Sequence, residues 1–220
     1  MKVDLRLYAL VDPERANGRR LDDLARQAVE GGATLVQLRD KHGSTHQQVE
    51  EARAIKATIA ASGVPLLVND RVDVALAAGA DGVHVGWDDM SVADARRLLG
   101  PDAIIGLSMK TAEQAEAAPL DLVDYVCIGG VYATMSKDNP NVPIGVAGLQ
   151  GLVSRLRARA PKLPLGAIAG IDATNAGDVM TAGVDGVAVI SALSMTADPK
   201  AAACDLRTIV DRALKQRTSL

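Results

Sequence analysis

Three runs in this chain, VQLRDK (36–41), LLVND (66–70) and VHVGWDD (83–89), pass from apolar residues straight into amides and charges. Gln37, Arg39 and Lys41 alternate, so an extended strand carries them on one face. Two cations and an amide on a shared face suit a polyanion; the plainer alternative is a solvated strand end. Asn69 and Asp70 close the second run, and Asp88 and Asp89 close the third. Neighbouring strands would let Asp70 and Asp89 converge on one hard cation. Magnesium takes one or two carboxylates and fills its remaining positions with phosphate oxygens and waters. The competing reading makes these acids helix caps, Asp70 before VDVALAAG and Asp88 or Asp89 before SVADARRLL.

A second group of residues suits a single phosphate. The stretch GGVYATMSKDNPNVPIG (129–145) is longer than the roughly 2–6 residues that usually follow a strand in such folds. It gathers Thr134, Ser136 and Lys137, two hydroxyls and an ammonium, although an elongated surface turn would look the same. Gly170 permits close approach of backbone amides to an anion, and Ile190-Ser191 leads into a helix start. Of the three histidines, His42 and His46 flank the loop after VQLRDK, and His84 sits inside an apolar strand. A histidine in that position is more often a hydrogen-bonded core residue than a catalyst. No Ser-His-Asp set or His-Cys metal cluster stands out.

These residues need a scaffold that brings separate strand ends together. Apolar runs recur at 7–11, 35–39, 65–69, 82–85, 103–107, 124–128, 163–168 and 186–190. Between them lie segments with helical periodicity, among them 21–32, 50–63 and 148–160. Strand–helix alternation on this scale predicts a single (β/α)8 TIM barrel over residues 1–220, with an open doubly wound sheet as runner-up. AAGADGVHVG (77–86) resembles TAGVDGVAVI (181–190), and EGGATLVQLR (30–39) is a looser third copy. Each copy reads as a helix end, a glycine suited to a left-handed turn, then a strand. Barrels of this kind hold their chemistry where strands end, and the loops after the seventh and eighth strands commonly cradle phosphate.

Composition narrows the partners. Aromatics are 2% of the chain and Phe is absent, so the core is aliphatic. A net charge of -3 with both signs well mixed argues against nucleic acid and membrane surfaces and leaves local Arg and Lys clusters free to bind a small anion. No run approaches the roughly 20 apolar residues of a membrane span, and the N-terminal residues lack a signal-peptide pattern. The expectation is a cytoplasmic protein, with a homo-oligomer possible. Cys127 and Cys204, 77 positions apart, read as two buried thiols.

Taken together, VQLRDK, LLVNDRVD, GADGVHVGWDD, IIGLS, TMSKD, AIAGI and VIS resemble thiamine phosphate synthase in order and spacing, from about Tyr8 to the last helix. That family joins a hydroxymethylpyrimidine diphosphate to a thiazole phosphate and releases diphosphate. The resemblance implies that Gln37, Arg39, Lys41 and Asn69 bind the pyrimidine diphosphate, in a segment that includes Leu38 and Asp40. It implies that Asp70 and Asp89 hold Mg2+, and that Ser108 and Lys137 also face the pyrimidine substrate. Thr134, Ser136, Gly170, Ile190 and Ser191 would take the thiazole phosphate, and Met135, between the two hydroxyls, would be substrate-binding as well; the substrates are small molecules. Arg39, Lys41, Ser108 and Lys137 would be catalytic, with Arg39, Lys41, Lys137 and Mg2+ stabilising the departing diphosphate and no proton transfer required. Several positions depart from the family's habit: Trp87 for Gln, Met109-Lys110 for a small residue and His, Ala133 for Pro, Ser136 for Thr, and Ala169 for the first Gly of GGI. A thiazole tautomerase of the same pathway, and a non-catalytic sensor of phosphate ligands, are the alternatives.

Overall fold

The structure, a computed structural model, describes residues 3–134 and 142–218. Each apolar run is a strand: β1 (Leu7–Val11), β2 (Leu35–Leu38), β3 (Leu66–Asn69), β4 (Gly82–Val85), β5 (Ile104–Met109), β6 (Tyr125–Gly129), β7 (Leu165–Ile168) and β8 (Gly186–Val189). All neighbours pair in parallel and β8 returns to β1, so the sheet is a closed barrel in sequence order. An open doubly wound sheet is thereby excluded. The surrounding helices are α1 (Leu21–Glu30), α2 (Thr45–Ile59), α3 (Val72–Ala78), α4 (Val92–Leu99), α5 (Ala112–Ala117), α6 (Gly145–Arg159), α7 (Ala176–Thr181), α8 (Ser191–Ser194) and α9 (Pro199–Thr218). None of the described helices is long and apolar enough to cross a membrane.

Period-two alternation divides the apolar residues into two layers. Leu7, Ala9, Val36, Val68, Val83, Ile105, Val126 and Val187 pack outward against the helices. Tyr8, Leu10, Leu35, Leu67, Ile104, Tyr125, Cys127 and Ala188 fill the barrel interior. One layer stabilises the ring of helices, and the other forms the floor on which any site must rest. Cys127 belongs to that floor and is buried as expected. Cys204 is exposed on α9, which corrects the reading of both thiols as buried. A helical pattern specifies periodicity, and here the cysteine falls on the solvent side of it.

The internal repeat marks a structural joint at the strand entrances. Gly32, Gly79 and Gly183 all adopt positive φ (106°, 64° and 94°), the left-handed turn that the repeat predicts. Two residues later stands a polar side chain that accepts a hydrogen bond from the first amide of the preceding strand. Asp81 takes Leu66 N at 2.8 Å, Asp185 takes Leu165 N at 2.8 Å, and Thr34 takes Leu7 N at 3.2 Å. Asp124 repeats the contact with Ile105 N at 2.8 Å, without the glycine. Arg96 and Arg157 cover Asp124 and Asp185 from the helix layer, each at 2.7 Å. These contacts secure one end of the barrel and leave the other free for the polar residues.

Candidate active site

At the opposite end, the strand termini bring their polar side chains to one mouth. Gln37 and Arg39 leave β2 on the inward face, as their alternation requires, and both are buried. The Arg39 guanidinium pairs with the Asp12 carboxylate at the end of β1. Asp12 also accepts Glu14 N at 2.9 Å, so the loop after β1 holds the acid while the acid holds Arg39. Lys41, more exposed, reaches across to Asp70 beyond β3.

Asp70 is not a helix cap. Arg71 occupies the N-cap of α3, and no side chain caps that helix. Asp70 adopts φ 60°, a left-handed conformation that costs a non-glycine residue free energy, while its amide donates to His84 O at 2.8 Å. That backbone bond extends the β3–β4 ladder, and the turn aims the carboxylate at Lys41 and at Asn69 Nδ2, 2.7 Å away. Asp88 and Asp89 are not caps either, because Ser91 caps α4 by accepting Asp94 N at 3.1 Å. Asp89 instead bends back to accept Gly86 N at 2.7 Å. Burial pushes its carboxyl above the usual carboxylate range, and the adjoining Asp70 carboxyl pushes it further, against the pull of Gly86 N and Lys41. Two acids thus face each other beside one lysine. Among the described residues there is no cluster of three or more His, Cys, Asp or Glu side chains suited to a metal. A two-carboxylate donor set of oxygen atoms fits a hard cation that completes its shell with phosphate and water, and it does not fit zinc.

The mouth opens into a cavity that descends into the barrel. Gln37, Arg39, Asn69 and Ser108 line one part of it; Thr134, Gly170, Ile190 and Ser191 line another. Ser108 Oγ lies 2.8 Å from His84 Nε2. Gly170 has φ 66°, and a Cβ there would collide with the Tyr132–Ala133 backbone. Ala169 carries φ 89° without being glycine. Its carbonyl accepts Tyr132 N at 3.1 Å, which extends the β6–β7 pairing beyond the strands.

Some expected residues lie elsewhere. The Leu38 side chain packs between sheet and helices, because it alternates with Gln37 and points away from the cavity. Asp40 turns its carboxylate back onto the amides of His42 and Gly43, at 2.9 and 2.8 Å, and shapes the loop. Met135, Ser136 and Lys137 fall outside the described residues. Trp87 is 41% exposed and does not line the cavity, so it leaves the pocket unnarrowed. His42 and His46 are exposed and stand outside the cavity. Lys110, noted only as a departure from the family's habit, lines the cavity wall.

Sequence reasoning missed Asp12, Tyr8 and Tyr125. Tyr8 lines the cavity, and Tyr125 lies beneath it with its hydroxyl 2.7 Å from His84 Nδ1. A signal existed: in a chain with three tyrosines and no Phe, a tyrosine inside LYALV or DYVCI points to a use for its hydroxyl.

The profile of a family described as thiamine monophosphate synthase matches residues 7–193. The chain belongs to that family. A thiamine-phosphate synthase of Agrobacterium fabrum is 53% identical over 216 residues, covering 98% of each chain. One from Chloroflexus aurantiacus is 46% identical over 94% of each. The solved thiamine phosphate pyrophosphorylase from Pyrococcus furiosus superposes with a TM-score of 0.83 at 36% identity, over 97% of this chain and 98% of that one. The match to the thiamine monophosphate synthase family spans all eight strands of the barrel.

Proposed function

We propose that the chain is a magnesium-dependent thiamine phosphate synthase, a transferase that joins a pyrimidine methylene diphosphate to a thiazole phosphate. The observation that carries this reading is the convergence of Asp70, Asp89 and Lys41 on one rim of a cavity whose wall includes Arg39 and Asn69. In the reaction the carbon–oxygen bond to diphosphate breaks, the leaving group keeps the electron pair, and the thiazole ring nitrogen forms the new carbon–nitrogen bond. That nitrogen attacks as a free lone pair, so no base has to remove a proton from it.

Each residue has a defined task in this scheme. Asp70 and Asp89 would hold Mg2+, which neutralises charge gathering on the departing diphosphate. Arg39, fixed by Asp12, and Lys41 offer positive charge to the same phosphates without reorganising during the reaction. Gln37 and Ser108 grip the ring deeper in the barrel, while Thr134, Gly170 and Ser191 receive the thiazole phosphate. Holding both substrates in line supplies much of the remaining acceleration. A tautomerase would need a histidine available for proton transfer. His84 commits both ring nitrogens, to Tyr125 and Ser108, and the other two histidines lie outside the cavity.

Diphosphate release measured with each component omitted tests the proposal. Release is expected only when the pyrimidine diphosphate, the thiazole phosphate and Mg2+ are all present. Full activity after Asp70→Ala and Asp89→Ala together would remove the metal assignment.

A further inference from the structure

A buried hydrogen-bond chain runs beneath the cavity and joins two of its walls. Gln37 Nε2 donates to the Tyr8 hydroxyl, which lies 2.8 Å from the hydroxyl of Tyr125. Tyr125 Oη is 2.7 Å from His84 Nδ1, and His84 Nε2 is 2.8 Å from Ser108 Oγ. Both phenols are buried, and that burial raises them well above the ordinary tyrosine range, so each keeps its single proton at neutral pH. The fold makes room for the chain at Gly106, where a Cβ would collide with the Tyr125 hydroxyl and with His84 Nδ1.

Since each hydroxyl has one proton to give, the direction set at one end propagates to the other. Tyr8 receives from Gln37 and so donates to Tyr125. Tyr125 in turn donates to His84 Nδ1. The neutral imidazole then carries its proton on Nε2 and gives it to Ser108 Oγ. Two functions are left over at the ends. Gln37 Oε1 is a buried acceptor with no partner among the described residues, and the Ser108 hydroxyl keeps its own proton to donate. Reversing the chain would invert both ends at once.

We infer that Tyr8, Tyr125 and His84 are positioning residues that fix this polarity, so that the pocket accepts the amino form of a pyrimidine and rejects the oxo form. The amino N–H meets Gln37 Oε1, and a ring nitrogen accepts from Ser108. An oxo group would meet Gln37 Oε1 lone pair to lone pair. The inference rests on the proposed pyrimidine substrate and extends it to a rule of selection.

The test uses hydroxymethylpyrimidine monophosphates, which lack the diphosphate leaving group, in 4-amino and 4-oxo forms. Calorimetry on the wild-type protein is expected to favour the amino form by at least about 100-fold, within the range of roughly 10⁴-fold open to a site built around hydrogen bonds. Tyr125→Phe cuts the chain at its centre and is expected to reduce that preference at least tenfold. It should raise KM for the pyrimidine diphosphate and leave KM for the thiazole phosphate unchanged. Nitrogen NMR of the wild-type histidine rings, with His84 assigned from the spectrum of His84→Gln, is expected to show His84 as the Nε2–H tautomer. Wild-type selectivity in Tyr125→Phe would overturn the inference. So would an Nδ1–H or doubly protonated His84 at neutral pH, a result that needs no variant to fold. Wild-type protein that binds neither monophosphate would instead defeat the substrate reading, and the selection rule with it.

Discussion

Asp12, at the end of β1, holds the guanidinium of Arg39, which leaves β2 on the inward face of the barrel. The pair is almost wholly buried, with 10% of the Arg39 side chain and 2% of the Asp12 side chain exposed. A charge taken out of water at this depth needs its partner. The arginine is thereby fixed before any phosphate arrives. Asp12→Asn keeps an acceptor and removes the charge, so Arg39 loses its anchor but not its reach. We expect kcat/KM for the pyrimidine diphosphate to fall about tenfold, the order of cost for a modest misplacement of a charge-stabilising group. Arg39→Lys should do similar damage, because one ammonium cannot both face Asp12 and present a planar fork to phosphate. Steady-state kinetics with each substrate varied in turn checks both variants, and wild-type kcat/KM in Asp12→Asn would refute the anchoring role.

The acidic pair on the rim trades stability for function. Asp89 has its folded-state pKa raised by burial and by the neighbouring Asp70 carboxyl. A carboxyl raised in the folded state subtracts stability once the pH has risen through its ordinary value, so at neutral pH the Asp89 carboxylate opposes folding. Asp89→Asn retains an acceptor for Gly86 N and relieves the repulsion. Without metal, the variant should be more stable than wild type by about 0.5 kcal/mol, the scale of a partly exposed charge pair. Millimolar Mg2+ should then raise the melting temperature of wild type only, since a ligand stabilises the state that binds it. Calorimetric melts with and without Mg2+ decide the matter. Equal metal-induced shifts in the two proteins would count against Asp89 as a ligand.

How much of this was readable in advance depended on whether a residue's role is local or spatial. Period-two alternation is local, so VQLR announced that Gln37 and Arg39 share a face, and the strands fell within a residue or two of their expected bounds. The same alternation, pursued one residue further, would have turned Leu38 away from the pocket. Asp70 was ambiguous because an acid before a helix satisfies two rules at once. Only its φ of 60° and the cap at Arg71 separate them. Asp12 gave no local signal, and the tyrosine in DYVCI signalled a role without naming its partner, because Arg39 and His84 lie 27 and 41 residues away from them. Nothing in the chain near Asp12 or Tyr125 names the strand that will be beside it once the barrel closes.

The two thiols should react very differently. Cys127 sits in the barrel interior, where burial pushes its pKa up to about 12, and Cys204 is exposed on α9. The thiolate is the reactive form, so the buried thiol is doubly protected, by access and by protonation. A chromogenic disulfide reagent should titrate one thiol per chain in native protein and two in denaturant. Two fast equivalents in the native state would mean that the barrel interior opens readily.

The strand-entrance contacts predict variants that lose stability while keeping their chemistry. Asp124 Oδ2 accepts both Ile105 N and an Arg96 guanidinium nitrogen, at 2.8 and 2.7 Å. Asp124→Ala strands a backbone donor of a buried residue and leaves Arg96 with carbonyl partners only, at a cost of about 2–3 kcal/mol. Asp124→Asn keeps an acceptor for Ile105 N and loses only the charge, so its cost should be about half as large. Neither substitution touches the mouth of the barrel, where Arg39, Asn69 and Ser108 stand at the other ends of their strands. Chemical denaturation should therefore rank the three proteins wild type, Asn, Ala, while kcat measured well below each transition stays within about twofold. A large loss of kcat in folded Asp124→Ala would show that the two ends of the barrel are coupled. Independence of the ends is what the repeated joint at Asp81, Asp124 and Asp185 implies, since each contact closes on its own pair of strands.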